Sequence, residues 1–259
     1  MTFSKDEIYL LLLPFEYTNA MQKQRSPFDI IAFDADDTLW HNETRYSQAK
    51  EDFAHLLTRY QDTSTASQLL DEIEVRNIAL YGYGMKSFTL SMMETAIELS
   101  NGQIRGAEMR QILEIARRVL TAEVELFPGV AETIHDLASR FDLMLITKGD
   151  ASEQESKVQR SGLKDYFRMV EIVHDKDVTT YQRILAKYQL DPRRFVMVGN
   201  SLRSDILPVV KLGGVPVYIP QETTWFHEQV DDPHLHASHY YQLEQISQLP
   251  SLLERLSQP

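Results

Sequence analysis

From residue 128 onward the chain alternates between short apolar runs and amphipathic stretches, and few architectures accommodate that alternation. Helical periodicity covers 130–140, 152–161, 181–188 and 204–212. Strand-like runs cover 141–146, 169–173, 195–198 and 215–219. Repeated units of this kind build a parallel sheet with helices on both faces. An earlier run at 28–35, FDIIAFDA, is apolar and ends in acid, so it reads as a further buried strand. Between 48 and 123 the pattern changes. Apolar residues recur at three and four: Ile73, Ile78 and Leu80; Leu90, Met93 and Ile97; Met109, Ile112, Leu113, Ala116, Val119 and Leu120. That spacing predicts about four helices, with breaks at Gly82/Gly84 and Asn101-Gly102. The predicted class is α/β: an open, mainly parallel sheet with an α-helical block inserted after its first strand. The expected division is a core over 28–40 and 127–259, a helical cap over 41–126 and an N-terminal extension over 1–27. The chain's 259 residues suffice for a core of roughly 150 residues plus such an insertion.

Charge and cysteine usage exclude several functions. Lys plus Arg number 26 against 38 Asp plus Glu, a formal net charge of −12. Such a chain has no overall attraction to nucleic acid or anionic lipid, so neither is expected as a partner. Cysteine is absent, which removes disulfide scaffolds, Cys-type zinc sites, iron–sulfur centres and thiol nucleophiles. Its absence is consistent with a reducing cytoplasm, the expected location. The segment IYLLLLPF at 8–15 is too short to span a bilayer, and Lys5 with Asp6 and Glu7 is the wrong flank for a signal peptide. It is expected to pack on the core, unless Met21 is the natural start.

In an open α/β sheet, ligands bind beyond the carboxyl ends of the strands. Here those ends carry Asp34, Asp36, Asp37 and Thr38; Thr147 and Lys148; Lys176; and Asn200 and Ser201, with Asp205 following. Carboxylates gathered at one edge repel unless a hard cation sits among them, and Mg²⁺ fits because it takes oxygen ligands and keeps waters. A carboxylate can attack phosphorus, and a second one two residues on can protonate the leaving oxygen and then activate water. A hydroxyl and an ammonium can hold phosphoryl oxygens.

With these pieces in this order, the chain resembles the haloacid dehalogenase superfamily, in its phosphatase branch with an inserted helical cap. The matching residues are Asp34-Ala-Asp36-Asp37-Thr38, Thr147, Lys176 and Gly199-Asn200-x4-Asp205. Phe127-Pro-Gly-Val130 resembles the family's return from cap to core. The resemblance covers about 28–220 and implies a Rossmann-like core and Mg²⁺-dependent hydrolysis of a phosphate monoester on a small metabolite. It implies Asp34 as nucleophile and metal ligand. Asp36 becomes the general acid/base, binding the metal through its backbone carbonyl. Thr147 and Lys176 become phosphoryl ligands, and Asp205 a metal ligand. Dehalogenase members lack the second Asp, so Asp36 favours ester hydrolysis. Asn200 stands where the family usually has Asp, which lowers the charge available to a metal. Lys148 stands where Asn is common, and either faces the phosphate or points to solvent.

Two other classes stay open: a receiver-type phosphoacceptor, and a catalytically idle phosphate-binding protein of the same fold. A receiver, however, needs about half this length and places its acceptor after a middle strand. In the loop YGYGMKSF, Tyr83, Lys86 and Phe88 are expected to touch the leaving group, although a plain helix–helix turn also explains the glycines. His234, His236 and His239 read as a solvated loop and His41 as a hinge residue. Trp225, Phe226, Tyr240 and Tyr241 are expected to cover the core or the chain's last helix. Sugar phosphates, nucleotides, flavin mononucleotide and phosphoglycolate all suit this reading. Oligomeric state is not legible.

Overall fold

The computed structural model describes residues 27–221 and 239–258. The apolar segment at 8–15, Trp225, Phe226, His234 and His236 lie outside those residues. Strand β1 (Ile30–Phe33) leads into four helices, α1 (Glu43–Leu56), α2 (Thr63–Tyr81), α3 (Met85–Leu99) and α4 (Gly106–Thr121). Alternation follows: α5 (Val130–Arg140), β2 (Leu143–Lys148), α6 (Ala151–Arg160), β3 (Met169–Val173), α7 (Val178–Tyr188) and β4 (Phe195–Gly199). The chain continues through α8 (Leu207–Lys211), β5 (Val215–Tyr218), β6 (Tyr241–Gln242) and α9 (Leu249–Leu256).

The sheet is parallel throughout, in the order β3-β2-β1-β4-β5-β6. Ile31 pairs with Leu143 on one side and Val196 on the other. The two-residue period of a strand sends alternate side chains to opposite faces. Ile31, Phe33, Leu143, Leu145, Val196 and Val198 therefore join Ile134 and Leu137 of α5 and Leu252 and Leu253 of α9. Ile30, Ala32, Met144, Ile146, Phe195 and Met197 join Tyr181 and Ile184 of α7. Each such buried Ile, Leu or Phe contributes about 1.5–3 kcal/mol. The inserted helices bury a third cluster of their own, with Phe53, Leu70, Met85, Phe88, Met92 and Ile112 at its centre. Among the described residues, no helix is long and apolar enough to cross a membrane.

The helices of the insertion stand where the apolar spacing puts them but bury partly different faces, and two further expectations need correction. Leu90 and Ile97 are 42% and 49% exposed, because α3 buries Met85, Phe88, Ser91, Met92, Thr95 and Ala96 instead. Ser91 and Thr95 look polar in sequence, but their hydroxyls donate to the carbonyls one turn back, Ser87 and Ser91, so that face packs dry. Leu80 in the last turn of α2 and Leu113 of α4 are likewise exposed. The helix expected over 204–212 is split. A wide π turn spans Leu202–Ile206, and α8 follows. Pro208 has no N–H to donate to the Ser204 carbonyl, which interrupts the regular ladder there. Finally, Tyr240 rests edge-on against Tyr218, whereas Tyr241 is exposed on β6 rather than covering the core.

Candidate active site

The strand order places β1 between β2 and β4, where successive connections leave in opposite directions. Such a reversal opens a crevice at the carboxyl ends of the strands. Above it the helical cap encloses a cavity of about 240 Å³.

Asp34 continues β1 by donating its N–H to the Val198 carbonyl at 2.9 Å. Its carboxylate accepts from Thr38 Oγ1 at 2.7 Å and from Lys176 Nζ. Lys176 also donates to Asp205 Oδ1 at 2.8 Å, so one buried ammonium bridges two buried carboxylates. Burial pushes the Asp34 carboxyl up to about 6, against the opposing pull of Lys176. Burial disfavours charge on Lys176 too, but Asp205 and Asp34 outweigh it and hold its pKa above the ordinary value. The π turn swings Asp205 back over the end of β4, where its Oδ2 accepts from Ser201 N at 3.0 Å. Only a glycine permits that approach: a Cβ at Gly199 would sit 2.2 Å from Asp205 Oδ2. Asn200 donates its N–H to Thr38 Oγ1 at 3.1 Å, tying the β4 end to the β1 loop.

Asp36 lies in the same cavity but is held from the α6 side. Its carboxylate accepts from Lys157 Nζ at 2.8 Å, Gln154 Nε2 at 2.8 Å and Trp40 Nε1 at 2.6 Å. Burial alone would raise its pKa, but the Lys157 charge and these hydrogen bonds hold it below the ordinary value. Asp37 does something different. With φ of 58° it turns its carboxylate onto the N–H groups of Asn42 and Glu43, capping the start of α1.

Thr147 is buried at the end of β2 and lines the cavity. Lys148 also lines it, 3.1 Å from Ser204 Oγ and 4.7 Å from the centre of the Tyr83 ring. Burial and the neighbouring Lys176 charge bring its pKa down to about 8, so it stays mostly protonated at neutral pH. The structure thus resolves the two sequence readings of Lys148 in favour of the cavity.

The cap loop is docked by α6. Met85 donates its N–H to Glu153 Oε2 at 2.8 Å, and a Cβ at Gly84, where φ is 111°, would press to 3.0 Å of that oxygen. Tyr83 and Phe88 face the cavity. Lys86 does not line it: its ammonium turns outward to Asp150 at 2.9 Å and Ser152 at 2.8 Å, and the expectation that it touches substrate is corrected. His41 stacks on Phe127 with ring centres 3.9 Å apart, at the crossing from cap to core, and His239 is exposed.

Sequence reasoning missed Lys157, Gln154 and Trp40 around Asp36, and Glu43, Asp71, Glu74 and Ser87 on the cap wall. Helix α6 reads ASEQESKVQR, an ordinary solvated helix by composition. The available signal was the spacing of Glu153, Gln154 and Lys157, which puts three polar side chains on one helical face.

Comparison with known proteins agrees with this geometry. The model of the family described as "haloacid dehalogenase-like hydrolase" matches residues 28–213. The pyrimidine 5'-nucleotidase YjjG of Escherichia coli K12 is 24% identical over 196 residues, spanning 72% of this chain and 83% of that protein. A haloacid dehalogenase-like hydrolase from Xanthomonas campestris is 39% identical, with a TM-score of 0.79 over 89% of this chain and 92% of that one. A 2-haloacid dehalogenase from Pseudomonas syringae shares the fold at 23% identity, with a TM-score of 0.60 over 88% of this chain and 99% of that one. A carboxylate, an ammonium and a hydroxyl converging at the switch of a parallel sheet, together with these matches, define the chain as a member of the haloacid dehalogenase-like hydrolase family.

Proposed function

We propose that the protein is a Mg²⁺-dependent phosphatase that hydrolyses a small phosphate monoester through an aspartyl-phosphate on Asp34. The catalytic core would comprise 28–40 and 127–259, and the cap 41–126. The observation that carries the reading is the second carboxylate, Asp36, two residues beyond Asp34 in one cavity with Lys176, Lys148 and Thr147. An ester hydrolase needs both a nucleophile and a separate proton donor. The Escherichia coli relative, by its name, acts on a nucleotide monoester, which supports the same class.

The donor set suits Mg²⁺. Among the described residues, no three His, Cys, Asp or Glu side chains form a metal cage. Asp34, Asp205, the Asn200 amide and the Asp36 carbonyl supply hard oxygens from two strand ends, and Mg²⁺ prefers a few such ligands and keeps its waters. Bound there, it would offset phosphoryl charge that Lys176 cannot balance alone. Magnesium is also bound in the solved structure of the Bacillus subtilis HAD-hydrolase YfnB, which has this fold at 15% identity and a TM-score of 0.60 over 87% of this chain.

Asp34 attacks phosphorus in line, and the P–O bond to the leaving alcohol breaks. Asp36 gives that oxygen its proton. It then takes a proton from water as the water attacks the aspartyl-phosphate, releasing phosphate and regenerating Asp34. Lys176 and Thr147 hold the phosphoryl oxygens, and Lys148 adds a second cation. The cap excludes bulk water from the intermediate.

Two measurements test the reading. Purified protein with Mg²⁺ is expected to release phosphate from p-nitrophenyl phosphate over many turnovers and no chloride from 2-chloropropionate. The reverse pattern would place it with the dehalogenases, and a single p-nitrophenolate released per chain, with the phosphoryl group retained on the protein, would fit a phosphoacceptor. The second concerns Lys157, which holds Asp36 ionised, whereas the first step needs Asp36 protonated. Lys157→Met is therefore expected to shift the alkaline limb of the kcat/KM profile to higher pH, because removing the ammonium lets burial raise the Asp36 pKa. An unmoved limb would separate Asp36 from the acid step.

A further inference from the structure

The cavity has a strand end and a cap end, and only the strand end is explained by phosphate chemistry. Lys176 and Lys148 stand at the strand ends. The cap wall carries Glu43, Asp71 and Glu74 against a single cation, Lys50. Lys50 is committed to Asp71, reaching both its carboxylate oxygens at 2.6 Å. Among the described residues nothing donates a hydrogen bond to the carboxylate of Glu43 or Glu74. Ser87, 4% exposed, lines the same cavity, and its hydroxyl has no hydrogen-bond partner. A buried hydroxyl left unmatched costs free energy and marks the place of a polar group that arrives from outside. Tyr46 and Phe88, with ring centres 5.4 Å apart, line the same wall.

Resting on the phosphatase reading, we propose that the cap end of the cavity is a subsite for a protonated amine on the leaving alcohol, held by Glu43, Glu74 and the Ser87 hydroxyl against the Tyr46 and Phe88 rings. The substrate class is then a zwitterion, a phosphate monoester of an amino alcohol, with its phosphate at the lysines of the strand ends and its ammonium at the cap carboxyl groups. Acidic groups that share only the one lysine, Lys50, still repel one another, and an ammonium relieves that cost. Burial, with the neighbouring Asp37 and Glu74, pushes Glu43 up to about 8; burial, with Asp71, pushes Glu74 up to about 7. Lys50 offsets part of both shifts, and an ammonium placed beside the two carboxyl groups would lower them further. A divalent cation needs several oxygens held close about one point, whereas an ammonium takes separate hydrogen-bond acceptors. An ammonium suits a spread-out wall better and gains from the aromatic faces.

The test compares ω-aminoalkyl phosphates of two to six carbons, each with the alkyl phosphate that carries methyl in place of ammonium, with Mg²⁺ present. For at least one chain length, kcat/KM is expected to favour the amine by about tenfold or more, a fair return for charge-assisted hydrogen bonds. Glu74→Gln and Ser87→Ala should each bring that ratio towards one. Ser87→Ala removes a hydroxyl with no internal partner, so its melting temperature should equal or exceed the parent's and any loss of ratio reflects recognition. A ratio at or below one at every length overturns the proposal while leaving the phosphatase reading intact. A preference undiminished in both variants overturns the assigned residues. No turnover of any ester, p-nitrophenyl phosphate included, removes both readings together.

Discussion

Asp34→Asn is expected to abolish phosphate release, by at least about 10⁴-fold, while the protein stays folded. An amide nitrogen or oxygen at this position cannot form the acyl phosphate, so the first half-reaction has no acceptor. The fold survives because both polar contacts have amide substitutes. The amide oxygen can accept from Lys176, and the amide nitrogen can donate to Thr38 Oγ1, which stands 2.7 Å from Asp34 in the parent protein. The variant also loses a buried carboxyl whose pKa burial had raised to about 6, which removes part of its cost to the folded state. Phosphate release with Mg²⁺, a thermal melt and intact mass spectrometry for a phosphoryl adduct check this together. Undiminished turnover would show that the nucleophile lies elsewhere.

The second large effect falls on Lys176. Lys176→Met should stop turnover and destabilise the fold by about 3–5 kcal/mol, because it leaves Asp34 and Asp205 buried without their shared cation. At roughly 2–4 °C per kcal/mol for a chain of this size, the melting temperature should fall by about 10 °C. The loss should depend on pH in a definite direction. Asp34 already titrates at about 6 in the folded state, above its unfolded value, and without the ammonium it moves further up. A carboxyl with a raised folded pKa destabilises most when it must ionise. The deficit is therefore largest at neutral pH and shrinks as pH falls through the folded pKa. Melts of parent and variant between pH 5 and 8 measure this, and a pH-independent difference would show that Lys176 acts by packing alone.

Much of the core was legible because its signals are local. The apolar run at 30–33, the helix over 130–140 and the strand over 169–173 stand where periodicity puts them. Asp34, Thr147, Lys176 and Asp205 were legible as groups at strand ends, and the structure brings them to one cavity. What was not legible has physical reasons. The buried face of α3 was hidden because Ser91 and Thr95 satisfy their hydroxyls on their own helix. The outward turn of Lys86 depends on Asp150, 64 residues away in sequence. Glu43, Glu74 and Ser87 carry no local signal, and only the packing of α1, α2 and α3 brings them to one cavity.

The sequence by itself determined a parallel α/β core, an inserted block of helices and the chemical groups that end each strand. Those follow from periods of two and of three to four residues and from which side chains succeed each apolar run, all of which act between near neighbours. Only the tertiary structure decided that β1 lies between β2 and β4, so that Asp34 and Asp205 share Lys176, and that Lys157 rather than solvent faces Asp36. Those pairings are settled by burying both faces of one sheet and packing α6 across its end, and no local pattern in the chain records them.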